Sequence, residues 1–428
     1  MTEYIFLIDC DNFFVSCERL FRPELTHHPV AVLSSNDGCI VSLSLEVKKL
    51  GIKMGEPYFK IKALCEQHKV ALFSSNFELY RDISNRVMSV LRRLSAQAGF
   101  SDVVEVYSID EAFLALSVSE DAEAFLLSKA NEMRATVLQE VGIPVSVGIA
   151  KTKTLAKVAA HFAKPQYMGN GSNVLIQDSN IQKALQDIAV GDVWGIGRAY
   201  AQKLTRNGIV SALDLCNKDD AWIQRETNVV GLRTVSELRG VRCFPLGEDE
   251  VLRKSLLSSQ SFSRRVTSLR NLETAVAGHA RTIAGILRSE SAVAKEITVF
   301  IYSPEGNGKK SKSIDMETLL TYTNDTFLIV ATALGILKRL YRPQRAYKKA
   351  GVLVRNIVPD GAQPRETLFG EPTNTNSVLM HVLDDIRHTH GDIVQLGVEM
   401  QNDTWRARRE HLSPRRTTRW GEVKKVCI

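Results

Sequence analysis

Seven cysteines, at positions 10, 17, 39, 65, 216, 243 and 427, contain no C-x-x-C pair, and their number is odd. That argues against a disulfide framework and a zinc site, so reduced thiols are expected. Long hydrophobic runs are missing as well. The longest, Phe327 to Leu337, is too short to span a bilayer, and Tyr4 to Ile8 meets Asp9 with no charged-then-apolar leader before it. The nine histidines include a loose group, His381, His388, His390 and His411, but no helical metal motif, and the group reads as a solvated tail. What remains is a chain of 428 residues, 44% hydrophobic, with enough apolar content for roughly two to four packed domains. It is expected in the cytoplasm, with no membrane partner.

Charge is unevenly spread. The net charge is +7, yet residues 239–355 alone hold 20 Lys/Arg against 10 Asp/Glu, leaving the rest slightly acidic. A concentrated positive field suits a polyanion-binding module, although a lysine-rich solvated face accounts for the same count.

The stretch with the most chemical content is Val103 to Leu114, an apolar run broken by Asp110 and Glu111. It predicts strand, turn, strand. Consecutive strand residues face opposite ways, so the two acids serve one site only where the pleat breaks. A carboxylate pair at a solvated turn is the plain alternative. The weight shifts with Tyr4 to Asp9, a buried strand that itself ends in a carboxylate. Three acids at neighbouring strand ends repel and raise one another's pKa unless a divalent cation sits among them.

Taken in order, the chain predicts a hairpin of residues 29–33 and 39–43 about Asp37-Gly38, then a short helix capped by Ser44. Helices are expected over 58–68, 76–94 and 119–140, a strand over 145–150 and a helix from Lys151 through Phe162. Strands beginning near residues 4, 103, 112 and 145 make a ferredoxin-like βαββαβ sheet of the α+β class. The loop Gly169 to Ser172 marks a boundary. Beyond it, Gly195-Ile196-Gly197 lies between helical stretches and reads as a helix-hairpin-helix whose glycines let a phosphate approach; an ordinary glycine turn is the alternative. From residue 252 a second βαββαβ pattern begins. Arg264 and Arg265 follow its first strand, and Lys309, Lys310 and Lys312 occupy a hairpin loop, positions suited to contacts with a polyanion backbone rather than to base readout.

Together these residues resemble the Y-family translesion DNA polymerases, within them the UmuC-type catalytic subunits. The resemblance rests on Asp9-Cys10-Asp11-Asn12-Phe13-Phe14, Asn36-Asp37-Gly38-Cys39, Lys53-Met54-Gly55-Glu56-Pro57, Ser108-Ile109-Asp110-Glu111-Ala112, Ala163-Lys164-Pro165, Gly195-Ile196-Gly197 and the ending Leu412 to Trp420. It implies a palm (1–13 and 80–166), fingers (14–79), a thumb (167–240), a little finger (245–355) and a C-terminal partner-binding tail (356–428). It further implies two Mg²⁺ ions held by Asp9, Asp110, Glu111 and the Cys10 carbonyl, with Asp110 bridging both and Glu111 nearer the primer terminus. Phe14 falls at the family's steric gate, beside Phe13, though either ring could be a plain core aromatic. Ser42, Lys48 and Lys164 fall at nucleotide contacts.

The implied activity is addition of deoxynucleotides to a primer opposite damaged template during SOS mutagenesis. The implied partners are primer-template DNA, dNTP, a UmuD-type dimer, a RecA filament and a sliding clamp. Two places depart from the family. Leu45 and Lys48 stand where Tyr and Arg are usual, which removes one phosphate hydrogen bond and the bidentate option. Arg365 replaces the Gln that opens a clamp-binding peptide, while Leu368 and Phe369 fit its apolar end. A DNA-binding scaffold without catalysis, and a phosphodiesterase using the same metals, are the competing functions.

Overall fold

The computed structural model describes residues 1–97, 100, 103–118, 123–247, 253–304, 310–362, 377–391, 393–400 and 407–423. They form two compact units, Met1–Ser34 with Gly38–Asp249 and His411–Ile428, and Ser35–Asp37 with Glu250–Glu410. Among the described residues no helix is long and apolar enough to cross a membrane.

The first unit opens with β1 (Thr2–Cys10), α1 (Phe13–Leu20), β2 (Val30–Leu33), β3 (Ile40–Leu43), α2 (Leu45–Lys49), α3 (Tyr58–Gln67), β4 (Ala71–Ser74) and α4 (Phe77–Gln97). It continues with β5 (Glu105–Val106), β6 (Glu111–Val118), α5 (Glu123–Val141), β7 (Val145–Ala150), α6 (Lys153–Ala163) and β8 (Ser172–Leu175). Its main sheet has the order β5-β6-β1-β7-β8. The first four strands keep the ferredoxin-like order. The fifth is a difference from expectation: Ser172–Leu175 pairs in parallel with β7, so the sheet continues past the glycine loop taken as a boundary. A run of four residues after glycines carries too little periodicity to be seen as a strand.

Alternation along the strands sorts the core into two layers. Tyr4, Phe6 and Ile8 pack with Ala112, Leu114 and Leu116 against the residues of α4 and α5. Ile5 and Leu7 pack with Phe113 and Ala115 against Leu155, Ala156 and Ala159 of α6. Helix α6 comes unusually close to the sheet because a Cβ at Gly148 of β7 would lie 2.1 Å from the backbone nitrogen of Ala160. The register pairs Leu7 with Phe113 and Asp9 with Glu111, so the row facing α6 ends in two carboxylates.

The expected hairpin of β2 and β3 joins β4 in a three-stranded sheet ordered β3-β2-β4. Ser44 occupies the N-cap of α2, but its hydroxyl accepts from the Val30 N–H at 3.1 Å and makes no cap bond. Five further helices follow: α7 (Asp178–Asp187), α8 (Arg198–Arg206), α9 (Ala212–Cys216), α10 (Asp220–Glu226) and α11 (Val229–Leu238). Gly195 has φ +84°, a conformation open to glycine, and Gly197 caps α8; the arm before them is only a 3-10 turn, Val190–Asp192. The buried Glu237 of α11 accepts from the Thr154 N–H and hydroxyl at 2.8 Å, within the first turn of α6, where a carboxylate also suits the helix dipole.

The second unit is β9 (Ser255–Val266), α12 (Leu269–Ser289), β10 (Ala292–Pro304), β11 (Lys310–Thr323), α13 (Thr326–Leu340), β12 (Tyr347–Pro359) and α14 (Ser377–His390). The βαββαβ succession is as expected, but the strand order β11-β10-β12-β9 differs from that of the first unit. Two placements are corrected. Arg264 and Arg265 do not follow β9 but are exposed residues inside it, because pairing of Val266 with Tyr347 carries the strand further. Lys310 begins β11 and Lys312 lies within it, while Lys309 falls outside the described residues. The clamp-binding candidates Leu368 and Phe369, with Arg365, also fall outside them.

His279 of α12 is 8% exposed, with Nδ1 2.8 Å from the Ser258 hydroxyl and no partner for its buried Nε2 among the described residues. Burial, reinforced by Lys349, pushes its pKa down from 6.5 to about 4. Between those values the unfolded chain binds the extra proton, so stability is complete above about 6.5 and falls as the pH drops towards 4, by roughly 2–3 kcal/mol. Thermal unfolding of His279→Gln between pH 7 and 4 is expected to lose that part of the slope. Parallel curves for variant and wild type would remove His279 as its source.

The C-terminal stretch is not one piece. Asp384 of α14 receives Arg288 at 2.6 Å in the second unit, whereas residues 411–423 belong to the first. His411 thus belongs to a different unit from the other three tail histidines, and no group of three metal-ligating side chains occurs among the described residues.

Candidate active site

The site is built from the strand row that ends in Asp9 and Glu111. The Cys10 N–H donates to the Asp110 carbonyl at 2.9 Å, which fixes Asp110 beside the end of β1. Ser108 sets both acids of the turn. Its hydroxyl donates to Asp110 Oδ1 at 2.5 Å and accepts the backbone N–H of Asp110 and Glu111 at 3.2 and 3.1 Å. A side chain folding back on its own turn is the usual way serine organises such a bend. Asp9, Cys10, Asp110 and Glu111 line a cavity of about 970 Å³ together with Asp11, Asn12, Phe13, Phe14, Ser42, Lys48 and Lys164. Every catalytic, metal and nucleotide-binding candidate read from the sequence therefore borders one space. Gly195, Ile196 and Gly197 do not, and Ile196 is a core residue.

Two of the acids already carry ammonium partners. Lys164, just past α6, donates to Asp9 Oδ2 at 2.6 Å, and Lys157 donates to Glu111 Oε1 at 2.7 Å. Burial pushes the Asp9 carboxyl up to about 6 against the pull of Lys164. Burial also acts to lower Lys164, but the charge of Asp9 outweighs it and holds the ammonium above its ordinary value. Asp11 is raised by burial and accepts from the Ser146 hydroxyl at 2.8 Å. Burial holds the Cys10 thiol neutral, which leaves its backbone carbonyl as the group able to ligate a hard cation.

Lys48 has a shared position. Its ammonium donates to Asn12 Oδ1 at 2.9 Å and Gln166 Oε1 at 2.5 Å, while burial and then Lys164 lower its pKa. Leu45 lines the same cavity where a hydroxyl was expected to be missing. The Ser42 hydroxyl reaches the Asn12 carbonyl at 3.4 Å. Phe13 and Phe14 part company: Phe13 is 3% exposed in the core, whereas Phe14 is half-buried and stacks on Tyr80, 4.6 Å between centroids and 14° between planes.

Sequence reasoning missed Asn12, Gln166 and above all Lys157. Lys157 lies 4.5 Å from the Tyr107 ring, 5.5 Å from Trp194 and 5.7 Å from Phe113, an aromatic box around a cation. Trp194 is held by its indole N–H donating to the Tyr107 hydroxyl at 2.9 Å. A signal was present: Lys153, Lys157 and Lys164 recur at helical spacing, and their partners Glu105, Glu111 and Asp9 lie on neighbouring strands.

Comparison with known proteins gives this arrangement relatives. The family model described as "impB/mucB/samB family" matches residues 8–161, its C-terminal domain model matches 253–368, and a domain of unknown function, DUF4113, matches 377–426. Protein UmuC of Salmonella typhimurium is 39% identical over 98% of this chain and 99% of its own length. DNA polymerase IV of Listeria monocytogenes is 26% identical over 82% of this chain and 94% of its own. Among solved structures, a Y-family DNA polymerase chimera of Dbh and Dpo4 superposes with a TM-score of 0.66 at 21% identity, covering 83% of this chain and 99% of that one. The chain belongs to the impB/mucB/samB family and is a UmuC-type, Y-family DNA-directed DNA polymerase.

Proposed function

We propose that this polymerase adds deoxynucleotides to a primer 3′ end opposite damaged template, in SOS mutagenesis, with two Mg²⁺ ions held by Asp9, Asp110, Glu111 and the Cys10 carbonyl. The observation that carries the reading is the convergence of Asp9, Asp110, Glu111, Lys48, Lys164 and the stacked Phe14 ring on one cavity. The donor set is all oxygen, which suits Mg²⁺, and the burial that raises Asp9 is a penalty that a divalent cation removes. Bound there, the ions would lower the pKa of the primer 3′-hydroxyl and neutralise the triphosphate and leaving pyrophosphate. The chain's own part is positional. Ser108 orients Asp110, Lys48 and Lys164 supply point charges for phosphate oxygens, and Phe14, held flat on Tyr80, is placed to act as the steric gate against a 2′-hydroxyl.

DNA contacts are assigned to Gly195, Ile196 and Gly197 and to the exposed Arg264 and Arg265, with the excess positive charge of residues 239–355 supplying sequence-independent affinity. A UmuD-type dimer, a RecA filament and a sliding clamp are the proposed partners, and the cytoplasm the proposed compartment. The relationship to Protein UmuC supports these. Primer extension on intact and abasic templates, with Mg²⁺ omitted as control and each partner added in turn, tests the reading. Mg²⁺-dependent extension past the abasic site is expected. DNA binding without extension would favour a scaffold, and release of mononucleotides without added dNTP a phosphodiesterase.

A further inference from the structure

The sugar gate does not stand alone. Phe14 is one turn before Glu18 on α1, and Tyr80 of α4 lies beneath the Phe14 ring with no exposure of its own. The Tyr80 hydroxyl donates to Glu18 Oε1 at 2.8 Å. A second hydroxyl donates to that same oxygen at 2.8 Å: Ser413, 395 residues further along the chain. Glu18 is 2% exposed and Ser413 6% exposed. Burial raises the Glu18 carboxyl, so its two hydroxyl donors carry unusual weight.

The segment bearing Ser413 is firmly attached around this point. His411 and Ser74 exchange bonds, the His411 carbonyl accepting from the Ser74 N–H at 2.9 Å and the Ser74 hydroxyl from the His411 N–H at 3.0 Å. Asn76 Nδ2 donates to the Ser413 carbonyl at 3.1 Å and to its hydroxyl at 3.0 Å. Asn76 immediately precedes α4, the helix that carries Tyr80 and Phe77, and Phe77 meets the Phe14 ring edge-on at 5.8 Å. One short segment thus touches both helices that hold the gate.

We infer that residues 411–413, within the stretch matching a domain of unknown function, are a strap that positions the sugar gate: Ser413 fixes the Glu18 carboxylate, which fixes Tyr80, which supports Phe14. Ser413 is a positioning residue, 23 residues past α14 in sequence and absent from the cavity lining. The inference rests on Phe14 being the gate, so the experiment separates the two. The measured quantity is the ratio of kcat/KM for dNTP to that for the matching rNTP, in the full-length chain, for Phe14→Ala, Ser413→Ala, Ser413→Thr and Glu18→Gln.

With the strap in this role, Ser413→Ala lowers the ratio roughly three- to tenfold, chiefly by raising rNTP use. Ser413→Thr restores it by keeping the hydroxyl. A merely structural contact would slow both nucleotides alike and leave the ratio alone. An unchanged ratio in Ser413→Ala, alongside a changed one in Phe14→Ala, overturns the strap and keeps the gate. No change in Phe14→Ala overturns the gate and the strap with it. Should Ser413→Ala not fold, Glu18→Gln decides in its place, since it weakens the acceptor that both hydroxyls share: a lowered ratio supports the strap and an unchanged one overturns it.

Discussion

Asp110→Asn is expected to reduce primer extension by about a thousandfold or more while leaving thermal unfolding and DNA binding close to wild type. The reasoning separates shape from charge. Asparagine keeps an oxygen for the Ser108 hydroxyl, and the Asp110 carbonyl continues to accept the Cys10 N–H, so the turn and the end of β1 stay in place. What would be lost is a carboxylate charge proposed to help hold Mg²⁺, and several kcal/mol of transition-state stabilisation with it. Single-nucleotide incorporation under pre-steady-state conditions measures the effect, with calorimetry as the control for folding. Extension within a few-fold of wild type would remove Asp110 from the chemistry. Lys164 and Lys157 already pair with Asp9 and Glu111, whereas Asp110, in the turn beside them, receives the uncharged Ser108 hydroxyl.

The parts of this site that could be read from sequence share a physical reason. Period-two alternation places Asp9 at the end of one apolar strand, and two consecutive acids break another, so both signals are local. Register then brings Asp9 and Glu111 opposite each other, a step sequence suggests but does not specify. Lys157 was hidden because a lysine on a helix usually faces water, and only the partner strand reveals that this one is boxed. The end of β9 was misplaced because pairing with β12, not propensity, carries the strand through Arg264 and Arg265. The strap lay further out of reach: no local pattern links Ser413 to a glutamate at position 18. The two βαββαβ units make the same point at the level of topology, since one succession of elements yields two strand orders.

Phe14→Ala carries the second large expectation, a loss of discrimination against ribonucleotides of roughly ten- to a hundredfold. The ring is pinned on several sides: stacked on Tyr80, edge-on to Phe77 at 5.8 Å, and tilted against Phe13 at 5.9 Å. A side chain so supported does not swing aside for a 2′-hydroxyl, and forcing one extra heavy atom into a packed space costs about 1–3 kcal/mol, which sets the size of the effect. Alanine opens that space without touching the carboxylates, so dNTP turnover should fall far less than rNTP turnover rises. Phe14→Leu, which restores bulk without the flat ring, should recover only part of the discrimination. Equal ratios in wild type and Phe14→Ala would mean that the sugar is sensed elsewhere in the cavity. In that case the stacked ring serves to pack α1 against α4 and nothing more.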